Sequence, residues 1–103
     1  MVLYVLKWDI APDMRDAYAQ WLVPAIERSL AIPGVIEYRA YATVAGPTRK
    51  VATYEFVDLA AWEAWYRHPD IQQMFDEWQT MTTNRTRDLW GPEAMTIRPG
   101  EME

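Results

Sequence analysis

The stretch WYRHPDIQQMFDEW, residues 65–78, contains the only histidine in the chain, His68. An imidazole titrates near neutrality, so modest surroundings tune it into a general base or an iron ligand. Around it stand Trp62, Trp65, Tyr66, Phe75 and Trp78, with Tyr18 on an earlier amphipathic segment. Such side chains hold flat ligands, because each offers a large rigid apolar face with a polar tip. Arg39, between Glu37 and a facing Glu55, has the chemistry to stabilise an anion. Each assignment has a structural counterpart. His68 equally suits a helix break, the aromatics suit core packing at helical spacing, and the three charges suit a cross-strand ion set. No second histidine accompanies His68, there is no cysteine, and Asp76 and Glu77 lack metal-ligand spacing. No metal site is expected on those grounds.

Composition narrows the classes. At 103 residues the chain is expected to form a single domain, 1–103. Half its residues are hydrophobic and 24% are charged, a globular balance. The net charge of −5 is uneven: residues 1–51 carry six positive and five negative charges, 52–103 four and ten. No Lys/Arg cluster appears, which argues against nucleic acid as a partner. No apolar run reaches membrane-spanning length, and MVLYVLKWDI lacks the basic and long apolar regions of a signal peptide. A cytoplasmic location without membrane association is the resulting expectation.

The candidate residues must be positioned by elements that the patterning predicts. Val2 to Trp8 reads as a strand. Pro12 and Asp13 open a helix whose apolar positions continue at helical spacing to Leu30, with a kink expected at Pro24. IPGV at 32–35 turns the chain. Val35–Val44 and Arg49–Val57 read as a hairpin around AGPT. Ile36, Tyr38, Ala40 and Ala42 are expected on the helix-covered face with Ala52, Tyr54 and Phe56; Glu37, Arg39, Tyr41, Thr53 and Glu55 are expected on the other. Asp58 caps a short helix to Arg67, and His68-Pro69-Asp70 starts another, striped by Ile71, Met74, Phe75, Trp78 and Met81. A last short strand is expected near Ala94–Arg98, after Gly91-Pro92. The order β-α-β-β-α-β, with its second helix in two parts, predicts an α+β ferredoxin-like fold: a four-stranded antiparallel sheet with helices on one face. Its open face invites pairing with a second copy.

The segments LYVLKWDIAPDMRDAYAQW and IPGVIEYRAYATVAGPTRKVATYEFVDLAAWEAWYRHPD, with the MFDEW helix, resemble the dimeric α/β-barrel superfamily. The resemblance is strongest to its antibiotic-biosynthesis-monooxygenase-like and stress-responsive branches. It implies a homodimer joined through sheet faces and a pocket in each protomer between sheet and helices. Members of the superfamily include cofactor-free oxygenases of polycyclic phenols, haem-degrading enzymes, polyketide cyclases, isomerases and many of no known activity; a non-catalytic ligand-binding or stress-response dimer is the alternative expectation. By resemblance to the oxygenases, Trp62, Trp65, Tyr66 and Arg39 are the types that hold a phenolate, with Trp78 and Tyr18 as further ring-binding candidates. His68 is the candidate proton acceptor, and no cofactor is expected, with haem bound through His68 as the alternative. Haem-degrading members pair a histidine like His68 with an asparagine in the first strand and a tryptophan closing the third. Here the first strand has no asparagine, and the third ends at Phe56.

Overall fold

The computed structural model describes residues 1–101. The elements are β1 (Val2–Ile10), a 3-10 turn (Pro12–Met14), α1 (Arg15–Ala31), β2 (Val35–Ala42), β3 (Lys50–Phe56), α2 (Leu59–Tyr66), α3 (Pro69–Met81) and β4 (Thr82–Trp90). All strand pairs are antiparallel, in the order β2-β3-β1-β4. The fold is ferredoxin-like, with the second helical layer divided between α2 and α3.

Alternation along β1 and β3 builds the core. Tyr4, Leu6 and Trp8 face the helices together with Ala52, Tyr54 and Phe56, and all six are buried. From the helical layer come Tyr18, Ala25, Trp65, Ile71, Met74, Phe75, Trp78 and Met81. Two polar devices are buried within this apolar mass. Trp65 Nε1 donates to the carbonyl of Ser29 at 2.9 Å, and the Tyr54 hydroxyl donates to Ser29 Oγ at 2.9 Å. Both tie α1 to the elements beneath it. Pro24 lies inside α1, yet the helix runs on past it. Its missing amide falls on the exposed side, where water can serve the carbonyl of Gln20.

Three expectations from the pattern are corrected. The final strand is Thr82–Trp90, and Ala94–Arg98 contains no strand. α3 ends without a glycine stop: Thr82 is already extended, and its hydroxyl donates to the carbonyl of Trp78. The chain therefore passes straight from helix to strand. TTNRTRD reads as polar fading because β4 is an edge strand whose side chains are mostly exposed. Ile36 was expected inside with Tyr38 but is 50% exposed. A register shift between Val35 and Glu37 takes it out of the alternation. Ala40 and Ala42 lie on the helix side yet remain exposed, because no helix covers that end of the sheet.

A second irregularity lies between Lys7 and Asp9 of β1, opposite β4. There Asn84 takes φ 53°, a left-handed conformation that asparagine tolerates better than most residues. Its amide donates to Asp9 at 2.9 Å.

Candidate functional site

α2 begins where the Asp58 carboxylate accepts the amide of Ala61 at 2.8 Å. That cap sets which face each α2 aromatic presents. Trp62 and Tyr66 are four residues apart, so they lie one above the other on one face. Their rings stack with centroids 4.9 Å apart and planes at 17°. Trp65 turns the other way and is fully buried among Tyr54, Phe56 and Phe75.

Beneath the stacked pair lies Tyr4 of β1, 5.5 Å from Trp62, 5.9 Å from Tyr66 and 6.0 Å from Phe75 between ring centroids. Burial drives the Tyr4 phenol well above its ordinary pKa, against a smaller opposing pull from Arg87. It is therefore a neutral hydrogen-bond donor at any physiological pH. Arg87 of β4 completes the cluster. Its guanidinium lies 5.1 Å from the Phe75 ring centre and donates to the Tyr66 hydroxyl at 3.4 Å. Among the described residues no carboxylate lies within ion-pair distance of Arg87.

The outer wall is a groove of about 460 Å³ formed by Trp62, Glu63, Tyr66, Arg67 and Gln72. Glu63 and Arg67 pair across its rim at 2.6 Å. Trp62 Nε1 is buried with no hydrogen-bond partner, one of only two such side-chain atoms among the described residues. An unpaired buried donor costs about 1–3 kcal/mol, which a ligand acceptor would offset. The assembly is thus an aromatic wall with a cation at one end and one unspent donor, Trp62 Nε1, within it. It suits a planar, anionic ring.

The other candidates lie elsewhere. His68 is the N-cap of α3: its Nδ1 accepts the amide of Asp70 at 3.1 Å. A neutral imidazole that accepts at Nδ1 carries its proton on Nε2. While the cap is intact, neither nitrogen has a free lone pair for a proton or for iron. The single imidazole is committed to the helix, so these residues do not fit haem ligation. Among the described residues no three His, Cys, Asp or Glu side chains cluster to hold a metal. Arg39 projects from the open face of edge strand β2 and binds Glu37 through two hydrogen bonds, at 3.1 and 2.9 Å. Trp78 packs in the core edge-on to Trp8 and Phe75. Tyr18 is buried and accepts from Trp8 Nε1 at 3.2 Å. Burial raises its pKa, partly countered by that bond. Of the seven candidate side chains the fold brings two together, Trp62 and Tyr66. Tyr4 and Arg87 were missed. Tyr4 looks like any strand aromatic, and Arg87 sits in the segment read as fading helix.

Known proteins provide a separate line of evidence. The profile of the antibiotic biosynthesis monooxygenase family matches residues 1–77. No curated protein sequence matches the chain. Among solved structures, a DABB family protein with a ferredoxin-like fold from Mesorhizobium loti superposes with a TM-score of 0.78 at 18% identity, over 90% of this chain and 97% of that one. SnoaB, a cofactor-independent oxygenase from Streptomyces nogalater, superposes with a TM-score of 0.74 at 12% identity, covering 93% and 95%. A dimeric ferredoxin-like protein of unknown function from Thermobifida fusca gives 0.72 at 15% identity, covering 88% and 90%. At such identities these structures are similar in fold. With three quarters of its length matched by the family profile, the chain belongs to the antibiotic biosynthesis monooxygenase family.

Proposed function

We propose that the protein is a cofactor-independent monooxygenase of a planar phenolic or polyketide-like molecule, acting at the Trp62–Tyr66 groove, beside Tyr4 and Arg87. The observation that carries this reading is the Arg87 guanidinium, which among the described residues has no carboxylate partner and is held against an aromatic cluster. A cation there lowers the pKa of a bound phenol and stabilises its phenolate. The phenolate itself supplies an electron to dioxygen. The resulting radicals combine at a ring carbon, and loss of water from the peroxide leaves a carbonyl. For an anthrone-type CH2 the balance is CH2 + O2 giving C=O + H2O. The chain supplies orientation on the stacked rings, exclusion of water and neutral donors. In this scheme Arg87 lowers the phenol pKa enough for solvent at the groove mouth to take the proton, and His68 serves the helix. A likeness in fold to a cofactor-independent oxygenase supports the reading.

The protomer has one sheet face without helices. Val5 and Thr53 lie buried near its centre, while Tyr41 and Trp90 are 51% and 52% exposed. We propose that a second copy covers this face, as the dimeric fold relative suggests.

The test is oxygen uptake with a panel of anthrone- and naphthol-type phenols. Wild type should accelerate uptake by at least one of them. Arg87→Met should lower kcat/KM about 100-fold, as loss of a transition-state charge partner does. Uptake no faster than without protein across the panel, or an unimpaired Arg87→Met, would remove the proposal.

A further inference from the structure

A second concave region lies at the opposite end of the sheet, where no helix covers Ala40 and Ala42. One wall is α1, through Arg15, Tyr18 and Leu22; the other is the β2–β3 hairpin, through Thr43, Arg49 and Lys50. The cleft encloses about 940 Å³. It continues inward as a pocket of about 220 Å³ against Trp8, Leu22, Ile26 and Tyr38. The seam ends at an apolar void of about 30 Å³, room for no more than a water or two.

The mouth is electropositive on a chain of net charge −5. Arg15, Arg49 and Lys50 line it, and among the described residues none has a carboxylate within ion-pair distance. The one carboxylate there, Asp9, accepts from the Arg49 amide at 2.7 Å and from Asn84 at 2.9 Å. Three cations against one carboxylate leave the mouth at +2. The second unpaired buried side-chain atom of the described residues, Thr43 Oγ1, belongs to this wall. Cations thus surround the entrance to an aromatic and aliphatic pocket, with the unpaired Thr43 hydroxyl buried in the wall beside them.

We infer that this cleft binds a small amphipathic carboxylate, its apolar body against Trp8, Tyr38 and Leu22 and its head at Arg49 and Lys50. The site is separate from the Trp62 groove and does not depend on the activity proposed there.

Calorimetry and tryptophan fluorescence with decanoate and 1-naphthoate test it, with decanol and inorganic phosphate as partial probes. The carboxylates should bind one per protomer, with Kd about 10 µM to 1 mM for ligands of this size. Decanol and phosphate should each bind at least about tenfold more weakly, since each lacks one half of the recognition. The double substitution Arg49→Gln, Lys50→Gln is on the surface and should fold; it should weaken carboxylate binding about tenfold or more. Ala19→Trp, which fills the cleft, should do the same, whereas Trp62→Phe should leave binding unchanged. Absence of saturable binding, equal affinity for decanol, phosphate binding as tight as the carboxylates, or an unaffected double variant would overturn the inference. Loss of binding in Trp62→Phe would assign the ligand to the other groove and overturn it equally.

Discussion

His68 invites a catalytic role because it is alone, titratable and surrounded by aromatics. Its geometry gives it a local task, since a side-chain acceptor at the start of α3 satisfies an amide that the helix cannot. Replacing an N-cap acceptor by alanine typically costs about 1 kcal/mol. His68→Ala should therefore lower stability by about that amount in urea unfolding, His68→Asn should recover most of it, and neither should change the rate of phenol oxidation. A large rate loss in a folded His68→Ala would restore the imidazole to the chemistry. Ser29 presents the reverse case, a residue that attracts no notice in the sequence. It is fully buried, and its hydroxyl accepts from Tyr54 while donating to the carbonyl of Ile26. Ser29→Ala leaves the buried Tyr54 phenol unpaired, which should cost about 1–3 kcal/mol in the same measurement.

Between elements, Glu77 joins α3 to α1. Trp21 Nε1 donates to its carboxylate at 2.8 Å and Arg28 at 2.6 Å, with Gln73 contributing at 3.4 Å. These bonds, Trp21 first, hold the Glu77 pKa below its usual 4.5. A depressed carboxylate stabilises the fold above its unfolded pKa, and the contribution disappears as pH falls through the lower folded value. The group is one-third exposed, so the contribution should be no more than about 1 kcal/mol. Denaturation midpoints followed from pH 6 to pH 3 should therefore fall less steeply for Glu77→Gln than for wild type. Parallel curves would mean that the clamp adds nothing. Apolar spacing made both helices legible in the sequence. The clamp was not legible, because a contact between residues 21 and 77 depends on how two helices lie against one another.

For the whole molecule, one sheet face carries the helices and the other carries none. Light scattering should give twice the 12.1 kDa protomer mass. Tyr41→Glu with Trp90→Glu should shift the equilibrium toward protomer, because replacing its two exposed aromatics by charges opposes burial of that face. A wild-type monomer at high micromolar concentration would remove the sheet-face dimer.

Much of this architecture could be read in one dimension. Alternation in β1 and β3, helical spacing in α1 and α3, and the local caps at Asp58 and His68 are short-range physics written into neighbouring residues. β4 escaped because an edge strand needs no apolar alternation, and its identity comes from pairing with β1 more than seventy residues earlier. The same reason separates the candidate residues from the groove. Sequence alone determined that aromatic side chains, one arginine type and one histidine were available for chemistry. Tertiary structure decided that Trp62 and Tyr66 face outward, that Trp65, Trp78 and Tyr18 fill the core, and that Arg87 rather than Arg39 meets the rings. Side-chain types are local properties, whereas convergence depends on strand order and helix rotation, which only packing of the complete chain establishes.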